Sequence, residues 1–277
     1  MALDQLKPEI WIPKLEQARM AKAVAAPFCN QSYTGSVKAA GDSVRISELA
    51  RPTVTTTTDG QPITISSHEA LQSAALTMQI LQQSYFDQLL NDSDKVQGID
   101  GVVESIATGG AEQIADAQDV HILTVAAAGI KDAASAYKIE ATTVLGYIDA
   151  AAAILYGNKV PANEELELIV TPRFYTLFKQ AYQTLDTNNS EILKNGIVGR
   201  YGGITVRMSN NVVTANSGAE DLCILRTNKA IAFVNQWTKF ETLRSENAFG
   251  DVLRGHALYQ AKLVRPKELI VMNVKYA

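Results

Sequence analysis

GIDGVVESIATGGAEQIADAQDVHILTVAAA, residues 98–128, is the longest segment of this chain that reads as a single helix, and unlike material lies on either side of it. Ile99, Val103, Ile106, Gly110, Ile114 and Ala117 recur at three- and four-residue steps, which gathers them on one face of a 3.6-residue helix. Asp100, Glu104, Glu112, Asp116 and Asp119 take other positions, so the opposite face is expected to be acidic and wet. Such a helix would run roughly 45 Å. Gly109 and Gly110 sit in its middle; each costs about 1 kcal/mol against alanine in a helix interior, so the pair predicts a bend or a close helix contact. A long, one-sided helix of this kind reads as a strut, not as the centre of a compact globule.

Upstream of the strut the chain is poor in core material. Residues 1–38 contain Pro8, Pro13 and Pro27 with one apolar-periodic piece, Leu15 to Val24, and read as an arm. Its Ile10-Trp11-Ile12 cluster is too apolar to leave in water and must dock on its own body or on a neighbour. Gly41-Asp42 introduces a short alternating strand, Ser43 to Ile46. Thr53 to Thr58 is a β-branched run closed by Asp59-Gly60, a strong hairpin signal. The return leg is ambiguous: Ser66 with Glu69 resembles a capping box, whereas Leu76, Met78 and Ile80 alternate like a strand. The reading adopted is a brief helix at the tip, then a strand through Phe86. A long polar hairpin of this kind is a liability unless another molecule covers it.

Downstream, the pattern changes to strands alternating with helices. Thr142 to Tyr156 is helical and stops at Gly157, Leu166 to Val170 is a strand, and Thr171-Pro172 is an N-cap followed by proline at the first helical position. Ile204 to Met208, Leu222 to Leu225 and Ala230 to Val234 read as strands. Together these predict a compact α/β or α+β domain over about residues 140–254. Leu258 to Val264 and Leu269 to Val274 read as two final strands parted by Arg265-Pro266.

Composition narrows the class. The chain has 277 residues, 47% hydrophobic, and a formal charge of −4, enough for one large or two modest domains with a real core. The longest apolar runs fall well short of the roughly 20 residues that span a bilayer, and no signal peptide precedes Asp4. Its two cysteines, Cys29 and Cys223, imply neither a disulfide framework nor a zinc site, which fits a reduced, cytoplasmic birthplace. Residues 52–225 carry nine Lys/Arg against twenty Asp/Glu, whereas residues 226–277 carry nine against four. That asymmetry suits self-complementary contacts between copies, or simply solvated faces; no dense basic stripe marks a nucleic-acid reader.

The usual enzyme signatures are absent: no Gly-x-Gly-x-x-Gly, phosphate loop, Gly-x-Ser-x-Gly or His-Glu-x-x-His. Asp92-Ser93-Asp94 opens like a calcium loop, but Val96 occupies the fifth position and Gln97 the place of the glycine. His68, His121 and His256 are far apart in sequence, and Cys29 has no evident base. No catalytic, cofactor-binding or metal-ligating residue is therefore predicted, and the chain is read as a non-enzyme without cofactors.

The C-terminal block carries a resemblance. Ala230-Ile231-Ala232-Phe233-Val234, Glu241, Leu243-Arg244-Ser245-Glu246, Phe249-Gly250-Asp251, Arg254-Gly255, Leu258-Tyr259, Ala261-Lys262 and Val264-Arg265-Pro266 resemble, in order and spacing, the end of tailed-bacteriophage major capsid proteins of the Hong Kong 97-type fold. Gly196 to Arg200, Gly203 to Val206 and Ser209 to Val212 look like that family's central strand, and Pro8 to Trp11, Gly41 to Val44 and Tyr85-Phe86 like its N-terminal part.

The resemblance implies an α+β fold with an N-terminal arm (1–47), an extended β-hairpin loop (48–91), a peripheral domain with a long spine helix (92–139), an axial α/β domain (140–254) and C-terminal strands returning to the peripheral domain (255–277). It implies a structural protein, found in the virion and assembled in the host bacterial cytoplasm, that forms hexamers and pentamers of an icosahedral shell around double-stranded DNA. The rival is an encapsulin-type shell holding a cargo enzyme. Implied partners are further copies of the chain, a portal protein, a decoration protein and a scaffolding protein, the last because the arm starts too near Met1 to follow an assembly-directing segment; no membrane is implied. Inter-subunit contacts are expected at Trp11, Thr55, Thr57, Arg244, Glu246, Asp251 and Arg254, the last four of mixed sign near the expected join of the two domains. The lysine–asparagine crosslink of some members finds no motif here and is not predicted.

Overall fold

The computed structural model describes residues 8–34, 41–49, 73–92, 102–132, 137–184 and 200–276. The predicted strut is helix α2, Val102–Ala127, about 39 Å long at 1.5 Å per residue. Around it lie α1 (Pro8–Lys22), α3 (Val144–Gly157) and α4 (Pro172–Thr184), an eight-stranded sheet, a three-stranded sheet and a two-stranded hairpin stem.

The eight-stranded sheet is built on β6 (Leu166–Val170), β8 (Ile204–Met208), β10 (Glu220–Thr227) and β13 (Leu269–Tyr276), in the order β13-β10-β6-β8, with the short strands β4 (Ile130–Lys131), β5 (Tyr137–Ile139), β7 (Arg200–Tyr201) and β9 (Thr214–Ala215) added to β13, β13, β8 and β10. Its central strands are apolar on both faces because both are covered. Leu168, Val170, Cys223, Leu225, Ile270 and Met272 face α3 and α4. Ile169, Leu222, Ile224, Leu269 and Val271 face the C-terminal half of α2, through Ala115, Ile122, Leu123 and Ala126. Thr171 caps α4 as expected, its hydroxyl accepting from Phe174 N at 3.3 Å.

The three-stranded sheet joins β3 (Gln82–Asn91), β12 (Gly250–Leu263) and β11 (Ile231–Arg244), all antiparallel, in the order β11-β12-β3. One face lies on the N-terminal half of α2: Trp237, Phe240, Leu253 and Ala257 meet Ala107, Ala111 and Ile114. The pair Gly109-Gly110 does mark a close contact, but with a strand rather than a helix. A Cβ on Gly110 would stand 2.6 Å from Phe86 Cδ1, and one on Gly255 of β12 would stand 2.6 Å from Cζ of the same ring. The phenyl of Phe86 fills the space that the two missing side chains leave.

Three expectations need correction. First, Ala230 to Val234 opens a fourteen-residue strand, β11, that belongs to the three-stranded sheet, so a compact unit over 140–254 does not match the sheets; residue 254 falls inside β12. Second, the last two strands part company: β12 lies beside β3, while β13 pairs with β10 in the eight-stranded sheet. Third, Asp119 is not on a wet face but is 2% exposed. The buried stripe of α2 runs Ala107, Ala111, Ile114, Ala115, Gln118, Asp119, Ile122, Leu123 and Ala126, rotated from the one the apolar residues alone suggest, because two polar side chains in it find buried partners.

The hairpin stem pairs β1 (Ser43–Leu49) with β2 (Ser73–Gln79), Ser43 opposite Gln79 and Leu49 opposite Ser73. Val44, Ile46, Met78 and Ile80 pack on Ala232, Val234 and Leu258, on the face of the three-stranded sheet turned away from α2. The threonine run, its Asp59-Gly60 turn and the tip helix lie outside the described residues. The expected strand through Phe86 is broken at Ile80-Leu81, where the chain passes from the stem into β3.

Candidate assembly surface

Among the described residues, the face of the three-stranded sheet away from α2 is covered over one half only. The hairpin stem covers the half near Ala232 and Leu258. Beyond it, strand register sets three ranks of side chains across the sheet, because alternate residues share a face: Lys239, His256 and Tyr85; then Glu241, Arg254 and Asp87; then Leu243, Val252 and Leu89. Within this chain Arg254 Nε donates to Asp87 Oδ2 at 2.6 Å, and His256 Nε2 lies 3.2 Å from Gln83 Oε1. A groove of about 430 Å³ runs between the first two ranks. Tyr85 is 76% exposed, and Leu89 and Leu243 are exposed beside it.

The charged residues read from the sequence fall at two places on this sheet. Arg244 ends β11 and joins Asp92 after β3 and Asp251 at the start of β12 (Nη1 to Asp92 Oδ1 2.7 Å, to Asp251 Oδ1 3.2 Å). Glu246 is exposed in the β11–β12 connection with no ion pair among the described residues, close in sequence to Phe249, which is 88% exposed. Arg254 sits further along β12. The group does not lie at the join of the two sheets: that join is at Ile231 and Leu263, the other end of strands that run for about 45 Å at roughly 3.3 Å per residue. The ion pairs are solvent-exposed, so each contributes about 0–1 kcal/mol to the chain's own stability. Trp11 lies in α1 with its side chain outside the described residues, as are Thr55 and Thr57 altogether.

The residues that sequence reasoning missed are those that fasten the arm. Asp119 on α2 accepts from the backbone N–H groups of Val24, Ala25 and Ala26 at 2.6, 3.1 and 3.2 Å. Burial pushes its carboxyl above the ordinary range, and these three donors pull it back. Arg226 on β10 is 1% exposed; it donates to Glu167 Oε2 at 2.7 Å, to Ala25 O at 2.7 Å and to Cys29 Sγ at 3.1 Å. Arg207 Nε is 3.0 Å from the other Glu167 oxygen, but its N–H is not aimed there, so that contact is electrostatic only. Arg19 reaches Gln118 at 2.9 Å, Gln118 reaches Asn235 at 2.7 Å, and Trp237 Nε1 donates to Glu16 at 2.9 Å. The segment from Leu15 to Cys29 is thus an arm docked on its own body. The signal available was Gln118-Asp119 lying inside the small-residue stripe of α2.

Cys29 and His121, two of the side chains weighed in the sequence for nucleophilic or acid–base chemistry, are held as packing groups. Cys29 is buried against Arg226, and burial holds its thiol above the ordinary value, so it stays protonated. Among the described residues no group of three or more His, Cys, Asp or Glu is placed to hold a metal, and no helix is long and apolar enough to cross a membrane.

No protein-family model matches the sequence, and no curated protein matches it. Solved structures do share the fold. A chain of the structure described as Mycobacterium phage Che8 superposes with TM-score 0.72 at 23% identity, over 90% of each chain. The capsid of the cyanophage P-SCSP1u gives 0.65 at 14%, over 92% of this chain and 89% of that one. A virus-like particle from Pyrococcus furiosus gives 0.59 at 13%, over 96% and 98%. The chain therefore shares its fold with these three chains over nine-tenths or more of its length.

Proposed function

We propose that this chain is a major capsid protein whose copies build the icosahedral head shell of a tailed bacteriophage around double-stranded DNA. The observation that carries the reading is the likeness in fold over nearly the whole of both chains, with no large insertion left to house another activity. The half-bare sheet face supports it: Tyr85, Leu89 and Leu243, set beside ranks of charge, suit a surface that a neighbouring copy covers. On this reading the three-stranded sheet with α2 forms the peripheral part, the eight-stranded sheet the axial part, and the hairpin continuing from β1 and β2 reaches over a neighbour. The ranks around Arg254, and the Arg244, Glu246 and Asp251 group, contact adjoining subunits in hexamers and pentamers. The chain turns over no substrate, and it works in the virion after assembly in the bacterial cytoplasm with portal and decoration proteins.

Identical subunits in slightly different surroundings can close into wrong sizes, since such contacts differ little in energy. A separate scaffolding protein is therefore part of the proposal. Expression of the chain alone and electron microscopy test both points: shells, regular or aberrant, support the capsid reading, while a purely monomeric product refutes it. Uniform closed shells from the lone chain refute the scaffold. An encapsulin-type shell is the competing reading, kept alive by the likeness to the virus-like particle, but the stronger likeness is to the phage chains. Particles holding a protein cargo instead of DNA would decide for it.

A further inference from the structure

Six of the eleven buried polar or charged side chains among the described residues, Arg19, Gln118, Asp119, Glu167, Arg226 and Asn235, lie along one seam, where residues 15–29 rest on the body of the chain. Elsewhere the layers meet through apolar side chains, α3 and α4 on the eight-stranded sheet and α2 on the three-stranded one. The docked segment brings little apolar area of its own. Its buried side chains among the described residues are Leu15, Arg19, Ala23, Ala25, Ala26 and Cys29, and only Leu15 is both large and apolar. What fastens it is polar. Asp119 holds the N–H groups of Val24, Ala25 and Ala26, Arg226 holds the carbonyl of Ala25, and Glu16 accepts from Trp237 Nε1 at 2.9 Å and from Asn235 Nδ2 at 3.4 Å.

Polar and apolar seams differ in what it takes to open them. Exposing apolar surface is unfavourable in proportion to its area, whereas a hydrogen-bonding group regains bonds to water, so its net contribution to closure is small. Regions with few buried apolar contacts therefore open before the rest of a domain. Lifting residues 15–29 would hydrate Gln118, Asp119 and Asn235 and would leave Arg226 still paired with Glu167, so no charge is stranded in the interior without a partner. The segment reaches both sheets: Glu16 is bonded to β11, and Ala25 and Cys29 to Arg226 of β10. Just beyond it Asn30 pairs with β11, its N–H donating to Ile231 O at 2.9 Å, which fixes one end. We propose that residues 15–29 are a detachable strap across the two sheets, which leaves and re-docks as one unit while both sheets stay folded. The inference goes beyond the shell reading and does not depend on it, since every bond involved lies within one copy.

The chain's two cysteines read the opening, because Cys29 lies in the strap and Cys223 in the core of the eight-stranded sheet. The full-length wild-type chain is treated with a thiol reagent at neutral pH, and labelling at each cysteine is followed by mass spectrometry over a range of urea below the unfolding transition. A strap predicts that Cys29 is modified at least about tenfold faster than Cys223, with a shallower dependence on urea than global unfolding shows, because less surface is exposed. Labelling of both cysteines at one rate, with the urea dependence of global unfolding, overturns it. Two variants separate detachment of the whole segment from fraying around Cys29. Asp119→Asn weakens the clasp on residues 24–26, and Glu16→Ala removes the bonds to Trp237 and Asn235 at the other end. Each should speed labelling of Cys29 by about fivefold or more and leave that of Cys223 unchanged. Wild-type labelling of Cys29 in Glu16→Ala means that the segment does not move as a unit, and overturns the proposal. A rise at both cysteines together means that the segment cannot leave without unfolding the sheets, and overturns it as well.

Discussion

Gly255→Ala is the smallest change that should disturb the join between α2 and the three-stranded sheet. The added methyl would stand 2.6 Å from Phe86 Cζ, and closer still to the neighbouring ring carbon. The ring has little room to move, because a Cβ on Gly110 would already stand 2.6 Å from its Cδ1, and Phe240 packs at 6.4 Å between ring centroids. Gly255 is not among the residues with positive φ, so the cost is one of space, not of backbone strain. Overpacking of this kind costs about 1–3 kcal/mol, which for a chain of this size lowers the unfolding temperature by roughly 2–4 °C per kcal/mol. Gly110→Ala meets the same ring but gains up to about 1 kcal/mol of helix propensity, so it should cost less. A double-mutant cycle with Phe86→Ala isolates the cause. Removing the ring should make Gly255→Ala nearly neutral, whereas equal cost in both backgrounds, read from urea unfolding, would refute the wedge.

Three further outcomes are expected. Arg226→Met strands Glu167 in the interior without its partner and should destabilise by about 3–5 kcal/mol, with much of the loss recovered in Arg226→Met/Glu167→Met; calorimetry of the two variants decides this. His121 packs edge-on against Tyr259 with its Nε2 buried and unbonded, and burial lowers its pKa below 6.5. The unfolded chain therefore binds the proton more readily, so His121 should be neutral to stability well above pH 6.5 and cost stability as the pH falls below it; His121→Phe should flatten that part of the pH profile, and an unchanged profile would exclude the residue as its source. Replacing residues 51–72 by a tight turn while keeping β1 and β2 should leave a soluble subunit that forms no stable shells, and normal particles from that variant would rule out a bridging role for the hairpin.

The parts legible in the sequence are those fixed by neighbours in the chain. The strut ends at Ala127, one residue short of its expected C-terminus, because its periodicity is local. The Leu166–Val170 and Ile204–Met208 strands match residue for residue, and Thr171 caps its helix because Pro172 and the hydroxyl act within one turn. The parts that escaped depend on partners far away in the chain. Asp119 looked solvated because acidic residues on a helix usually are, and the three N–H groups that hold it lie 93 to 95 positions upstream. Arg226 likewise reads as one more basic residue near the C-terminus until β10 sets it beside Glu167, 59 positions away. Sheet membership escaped for the same reason: alternation predicts that β11 and β13 are strands, but not that they part into different sheets.

The same distinction bears on how one chain could serve several positions in a shell. The two sheets are linked by the connections from β10 to β11 and from β12 to β13, by α2, whose halves lie in different cores, and by the arm segment clamped between Asp119 and Arg226. Altering their relative angle would strain at least one buried charge from its partners, at a cost of several kcal/mol. The bare sheet face is built differently. Its ion pairs, Arg254 with Asp87 and Arg244 with Asp92 and Asp251, are exposed at both partners or nearly so, and each can be remade with a different neighbour for about 1 kcal/mol or less. On the proposed shell reading, a braced body with an exchangeable charged surface places the adjustment between unequal neighbours in the contacts, and leaves the fold of each copy the same.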